Sequence, residues 1–313
     1  MKILITDELA EEAIEKLKEK HEVVFKELRG ENLIKEIGEY DALMVRSATK
    51  VTADVIKAGK NLKVIGRAGI GVDNIDIEEA SKHGIYVVNS PGGSTRSVAE
   101  LSIALMFALA RKITRADASM KNGEWAKKKL KGIELQGKIL GLIGSGRIAQ
   151  EVAKIANCLG MHVLVYSPHC TPEKAKAMNA ELKSMEEIFS RADFISLHVP
   201  LTNDTRHMIN EALLRKMKPT SFLINVARGG VVDEEALYKL LKEGSIAGAA
   251  MDVYEQEPYK GKLSELDNII LTPHIGAATK EGQIRAGVIC AEQILKVLDG
   301  KEPDYWVNKD MMK

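Results

Sequence analysis

The stretch Ile139-Leu140-Gly141-Leu142-Ile143-Gly144-Ser145-Gly146-Arg147-Ile148-Ala149 decides the fold. An apolar, β-branched run leads directly into glycines, and apolar positions then continue through Val152, Ile155, Ala156 and Leu159 at helical spacing. This is the strand, tight turn and helix start of a dinucleotide-binding βαβ unit. Gly144 can take the backbone angles of the turn, and Gly146, with no Cβ, lets a pyrophosphate approach the main chain. Ala149 stands in place of the third glycine and is small enough for the helix to pack closely on the strand. The helix start, at Arg147 and Ile148, then offers N–H groups to phosphate oxygens.

Around that stretch the chain reads as a doubly wound unit. Strands are expected at Ile139–Gly144, His162–Ser167, Phe194–Val199, Ser221–Ala227, Ala247–Val253 and Ile269–Thr272, with helices between them. Residues 1 to 90 also alternate strands and helices, with strands at Lys2–Thr6, Glu22–Phe25, Ala42–Arg46, Lys63–Arg67 and Tyr86–Asn89. A first amphipathic helix is expected over Glu8–Glu19, with Ala10, Ile14 and Leu17 on one face. Such alternation predicts parallel sheets covered on both faces. Pro91 to Ser97 reads as a loop, and one long helix is expected from Val98 to Lys121. The closing helical stretch, Thr279–Leu298, can return to the first domain and make it discontinuous. The expected domains are 98–280 and 1–97 with 281–313.

Composition narrows the function classes. At 313 residues, with 45% hydrophobic and 28% charged residues, the chain can bury two ordinary cores. A formal net charge of +1 gives no electrostatic case for nucleic acid or a membrane surface, and no apolar run approaches a membrane span. The N-terminus, Met1 to Asp7, is too short and too soon acidic for a signal peptide. Cys158, Cys170 and Cys290 are scattered, with neither metal spacing nor a disulfide framework, so a reducing cytoplasm is the expected setting. The seven histidines show no paired ligand spacing, and no metal is expected. A nucleophile elbow is also missing, which removes a serine-hydrolase reading.

Three stretches just past the later strands carry chemistry. Asn225-Val226-Ala227-Arg228-Gly229-Gly230 supplies an arginine, Asp252-Val253-Tyr254-Glu255-Gln256-Glu257-Pro258 supplies acids, and Thr272-Pro273-His274-Ile275-Gly276-Ala277-Ala278-Thr279 supplies a histidine. In open α/β sheets ligands sit beyond the carboxyl ends of the strands, so the three point to one cleft. An arginine can grip a substrate carboxylate by two parallel hydrogen bonds and polarise the adjacent carbonyl. A histidine can take a hydroxyl proton as hydride leaves, and a neighbouring carboxylate fixes its tautomer. Taken singly, Arg228 reads as a cap or surface ion-pair residue, Glu255 and Glu257 as loop acids, and His274 as the end of a strand. Together, behind a dinucleotide loop, they read as a site for hydride transfer to or from a 2-hydroxy acid.

The whole chain resembles the D-2-hydroxyacid dehydrogenase family, and within it the branch acting on phosphoglycerate. The resemblance rests on Val45-Arg46-Ser47-Ala48-Thr49-Lys50-Val51-Thr52, Gly66-Arg67-Ala68-Gly69-Ile70-Gly71-Val72-Asp73-Asn74, the glycine loop, His198-Val199-Pro200-Leu201, Trp125-Ala126-Lys127-Lys128-Lys129 and the three stretches above. It implies an α/β fold: a Rossmann-type doubly wound parallel sheet with a second, smaller flavodoxin-like domain that is discontinuous in sequence. It implies a catalytic Arg228, Glu257 and His274, with Glu257 rather than Glu255 the matching acid. For the cofactor it implies contacts from Gly144, Gly146, Arg147 and Ile148, and a carboxamide contact from Asp252. It also implies an adenine-side wall of His198, Val199, Pro200 and Thr205, and nicotinamide-side contacts from Val226, Ala227, Gly276 and Ala277. For the substrate it implies main-chain N–H groups of Gly69, Ile70 and Gly71 on the carboxylate, with Arg46, Ser47, Arg67 and Lys127 near the phosphate. The expected reaction is NAD-linked oxidation of 3-phospho-D-glycerate to 3-phosphohydroxypyruvate, the first step toward serine. A homodimer is implied through the helix after Ser97 and its flank to Gly132.

The departures from the family pattern are specific. Ser167, before Pro168, stands where NAD-preferring members carry the acid that binds the ribose. NAD is still expected because no arginine follows Ser167 to grip a 2′-phosphate, while His169 and Lys174 keep NADP open. Ser94 stands where many members carry asparagine. The sequence ends at Lys313, soon after Tyr305-Trp306-Val307-Asn308, so serine feedback through a C-terminal regulatory domain is not expected. The alternatives are a glyoxylate or hydroxypyruvate reductase, with NADPH a candidate cofactor, and a dinucleotide-sensing protein that binds a partner.

Overall fold

A computed structural model describes residues 1–312. The chain divides into two compact units, Met1–Thr95 with the segment returning from Ala277, and Arg96–Gly276. In the first, β1 (Lys2–Ile5), β2 (Glu22–Phe25), β3 (Ala42–Val45), β4 (Val64–Arg67) and β5 (Tyr86–Asn89) form one sheet in the order β2-β1-β3-β4-β5. All its pairings are parallel, and the order is that of flavodoxin-like folds. Period-two alternation sends Leu4, Leu43, Ile65 and Val87 to one face, against Leu33 and Ile56. Ile3, Ile5, Met44 and Val88 face the other side, against Cys290 and Ile294 of the returning helix Lys280–Leu298. The tail protects the β5 edge: Trp306 bridges Val88 antiparallel, and buried Asn308 accepts from the Val87 N–H at 2.9 Å and donates to the Ile85 carbonyl at 2.9 Å.

The second unit holds seven parallel strands: β6 (Ile139–Ile143), β7 (His162–Tyr166), β8 (Ala180–Leu182), β9 (Phe194–Leu197), β10 (Phe222–Asn225), β11 (Gly248–Met251) and β12 (Ile269–Leu271). Their order, β12-β11-β10-β9-β6-β7-β8, is the doubly wound one, reversing between β6 and β9. Central strands such as β9 and β11 are buried along their whole length, as a sheet covered on both faces requires.

The structure corrects the sequence reading in four places. The sheet has a seventh strand, β8, a short edge strand whose Glu181 and Leu182 are exposed. The helix expected from Val98 to Lys121 is two helices, Thr95–Ala110 and Ile113–Lys121, broken where Lys112 turns left-handed at φ 53°. The first of these starts at Thr95, so the loop is shorter than expected. The first helix of the chain runs Glu11–Lys18 and buries Ala13 and Leu17, leaving Ala10 outside as its N-cap. Among the described residues no helix is long and apolar enough to cross a membrane, and no group of side chains could hold a metal ion.

Candidate active site

The glycine loop turns sharply at the point where the strand order reverses. Gly144 sits at φ +110°, and a Cβ there would lie 2.3 Å from the His198 carbonyl oxygen, so no other residue fits. The Gly144 N–H donates to the Tyr166 carbonyl at 2.7 Å, and the His198 N–H to the Ile143 carbonyl at 2.8 Å, which ties the ends of β6, β7 and β9 together. Gly146 is the N-cap of helix Arg147–Cys158 and has no side-chain cap. The space above it is open. Uncapped N–H groups beside open space are what a phosphate needs. Ala149 is fully buried against the sheet. Ser167 follows β7, where its Oγ accepts from the His169 N–H at 3.4 Å, and Pro168 is exposed. Beyond β9, Val199 is half-buried, Pro200 is exposed, and Thr205 Oγ1 donates to the Pro200 carbonyl at 2.7 Å.

The loops after β10, β11 and β12 interlock. Buried Asn225 ends β10; its Nδ2 donates to the Arg228 carbonyl at 3.0 Å and its Oδ1 accepts from the Ala227 N–H at 3.1 Å. That fixes the turn of Val226 and Ala227, both buried, from which half-buried Arg228 leaves. Arg228 Nη1 donates to the Ala227 carbonyl at 2.8 Å. A Cβ at Gly229 would come within 1.8 Å of the Tyr254 main chain, so the Arg228 and Glu257 loops touch only because Gly229 has none.

Glu257 Oε2 lies 2.8 Å from His274 Nδ1, and Glu257 Oε1 accepts from the Tyr254 N–H at 3.2 Å. Glu255, the competing acid, instead faces His207 Nε2 at 3.0 Å, while its N–H donates to Glu234 Oε1 at 2.6 Å. Burial raises the Glu234 carboxyl above the ordinary range, against the hydrogen bond from the Glu255 N–H, which lowers it. His274 is left-handed, at φ 54°, an uncommon conformation for a residue with a side chain. What holds it there is Asp252. This carboxylate is 1% exposed and accepts from Thr272 Oγ1 at 2.6 Å and from the N–H groups of Ile275 and Gly276 at 2.8 Å each. Asp252 thus shapes the histidine loop, a role that spacing alone does not reveal. Gly276 is buried beside it, and Ala277 is exposed.

In the first unit the remaining candidates lie in the loops after β3 and β4. Arg46 is half-buried, with Nη1 donating to the Glu8 carbonyl at 3.1 Å, and Ser47 is exposed. The Arg67 guanidinium lies over Gly69, where a Cβ would sit 1.9 Å from Nη1. The Gly69 N–H, expected on the substrate carboxylate, instead donates to the Arg67 carbonyl at 2.8 Å. Lys127, in the second unit, opens the exposed turn Lys127–Lys129.

Residues 103–276 match the family model described as D-isomer specific 2-hydroxyacid dehydrogenase, NAD binding domain. The chain is similar to the D-3-phosphoglycerate dehydrogenase of Methanocaldococcus jannaschii, at 53% identity over 311 residues, covering 98% of this chain and 59% of that protein. It is also similar to the hydroxypyruvate reductase of Thermotoga maritima, at 51% identity over 303 residues, covering 95% of this chain and 98% of that protein. Among solved structures, the TT0316 protein from Thermus thermophilus superposes with a TM-score of 0.90 at 36% identity, covering 98% of this chain and all of that one. The chain corresponds to part of the first relative's length and to nearly all of the second's.

His198 provides a test of the packing around the glycine loop. Burial pushes its imidazole from 6.5 down to about 3, and Nε2 sits 3.0 Å from Ser196 Oγ. Below pH 6.5 the unfolded chain takes up a proton that the folded chain refuses until near 3, so this contribution is full above 6.5 and is lost as pH falls. Thermal unfolding measured from pH 7 down to pH 4 is expected to show a smaller acid-induced fall in Tm for His198→Asn than for the parent. Equal falls contradict the buried, neutral ring.

Proposed function

The chain belongs to the D-isomer specific 2-hydroxyacid dehydrogenase family, with residues 103–276 in its NAD binding domain, and from that premise we propose that it oxidises 3-phospho-D-glycerate to 3-phosphohydroxypyruvate. The observation that carries the reading is His274 Nδ1 at 2.8 Å from Glu257 Oε2, in loops that interlock with the Arg228 turn. The residues around the glycine turn suit a dinucleotide: Gly146 leaves open space above an uncapped helix start. When bound, NAD supplies the hydride acceptor.

The chain's own groups divide the remaining work. The Glu257 carboxylate accepts a hydrogen bond from His274 Nδ1–H, which leaves Nε2 as the atom that takes the substrate hydroxyl proton and returns it in reverse. The Glu257 carboxylate is itself held by the Tyr254 N–H, so the ring orientation is set before substrate arrives. Arg228, leaving a turn fixed by Asn225, grips the substrate carboxylate and draws charge from the carbonyl that forms. In the other unit the N–H groups of Ile70 and Gly71 suit a carboxylate, and Arg46 and Arg67, like Lys127 in the cofactor unit, supply the cations that a phosphate needs. The similarity to a phosphoglycerate dehydrogenase at 53% identity supports this substrate. A second reading, a hydroxypyruvate reductase, is favoured by the length match to the Thermotoga maritima enzyme. In either case the unit Arg96–Gly276 is the cofactor unit and the other meets the substrate.

We also infer a homodimer. Phe107, Ile113, Met120, Trp125 and Ile133 are large apolar residues left exposed within one stretch of 27 residues, Trp125 by 79%. Large apolar side chains left exposed this densely along one stretch of chain favour an interface with a second copy.

Replacing His274 by Asn removes the acid–base atom and keeps a similar shape. Turnover is expected to fall by about 10²–10⁴-fold while NADH binding, followed by fluorescence, is retained. A fall below about tenfold contradicts the assignment. For the dimer, size exclusion with light scattering is expected to give twice the chain mass, and a monomer across the accessible concentrations contradicts it.

A further inference from the structure

Arg46 and Thr49 bracket an exposed two-residue turn, Ser47-Ala48, just past β3. Their main-chain N–H groups both face one carboxylate: Arg46 N–H donates to Asp7 Oδ2 at 2.5 Å and Thr49 N–H to the same oxygen at 3.3 Å. Their carbonyls both face one amide: Asn74 Nδ2 donates to each at 2.7 Å. Thr49 Oγ1 adds a bond to Asp7 Oδ1 at 2.8 Å and lies 2.8 Å from Thr6 Oγ1. Asp7 is 4% exposed, and the charge it buries is matched by Arg29, whose Nη2 lies 2.5 Å from Oδ1. Arg29 is in turn anchored by the carbonyls of Thr6 and Leu28, at 2.6 and 2.8 Å.

Asp7 lies two residues past β1, and Asn74 lies in the loop after β4. Two loops far apart in sequence therefore grip the same two residues, one by their donors and the other by their acceptors. Such a grip fixes the direction in which the Arg46 side chain departs. A long cation loses rotamer freedom when it binds, and a fixed backbone limits how much is left to lose.

We propose that Asp7 and Asn74 form a clamp that positions the Arg46–Thr49 turn to read the substrate's phosphate, which makes Asp7 a specificity-determining positioning residue. This rests on the phosphate reading of Arg46 given above. Asp7→Asn keeps the volume but turns an acceptor-only group into one that presents donors to donors. Asn74→Ala removes the grip from the other side.

The test compares phosphohydroxypyruvate with hydroxypyruvate, each with NADH, in the parent, Asp7→Asn, Asn74→Ala, Thr49→Ser and Arg46→Ala. The readout is the ratio of the two kcat/KM values, with thermal unfolding run on every variant. Loss of one charge-assisted contact corresponds to about tenfold or more. That ratio is expected to fall by about tenfold in both clamp variants, through KM for the phosphorylated substrate rather than kcat, and to be kept in Thr49→Ser. If Arg46→Ala lowers the ratio while both clamp variants stay within about twofold of the parent, the clamp is overturned and the phosphate reading stands. If Arg46→Ala leaves the ratio unchanged, the phosphate reading fails and the clamp's role falls with it. Equal losses on both substrates in the clamp variants show general support of the fold and also overturn the proposal.

Discussion

Every strand pairing in the Arg96–Gly276 unit is parallel, and the chemistry depends on that constraint. Parallel strands deliver the loops that follow them to one edge of the sheet. Residues more than a hundred positions apart are thereby brought to a common place: the glycine turn after β6, His198 after β9, Arg228 after β10, Glu257 after β11 and His274 after β12. The reversal of strand order beside the glycine turn opens the sheet edge there, and two close approaches complete the arrangement. Gly144 lets β6 end against the His198 carbonyl, and Gly229 lets the arginine loop lie on the main chain of the loop bearing Glu257.

Buried polar side chains shape the loops that this topology gathers. Asp252 takes three hydrogen bonds from the histidine loop, Asn225 two of its bonds within the arginine turn, and Asp7 three from the Arg46–Thr49 turn. A buried carboxylate without donors is costly, so each of these groups strongly disfavours any other loop path. His274 can hold a left-handed backbone because Thr272, two residues before it, and Ile275, just after it, are bound to Asp252.

Strand–turn–helix punctuation was legible because it is local. The glycine turn, the alternation of apolar runs with amphipathic helices and the strand-end positions of Arg228, Glu257 and His274 all follow from neighbours in sequence. What was not legible is set by residues far away. Nothing in Arg111-Lys112 announces a helix end. The break comes where Ile133 N–H donates to the Ala110 carbonyl at 2.9 Å, with Gly132 lying so close that a Cβ would be 2.4 Å from that oxygen. β8 is three residues long and half exposed, too short for a periodic signal. Ala10 and Ala13 both fit an apolar stripe, and only the packed structure shows that the helix starts between them. The bonds of Asp7 and Asp252 were likewise hidden, since an acid after a strand reads equally well as a ligand contact or as a loop support.

The most direct test of the account pairs NADH and NADPH, in turn, with phosphohydroxypyruvate, hydroxypyruvate, glyoxylate and 2-oxoglutarate in initial-rate assays that follow nicotinamide absorbance. The account predicts the highest kcat/KM for phosphohydroxypyruvate with NADH, with Arg46 and Arg67 reading a phosphate and Ser167 tolerated at the ribose position. The highest value for glyoxylate or hydroxypyruvate with NADPH contradicts it.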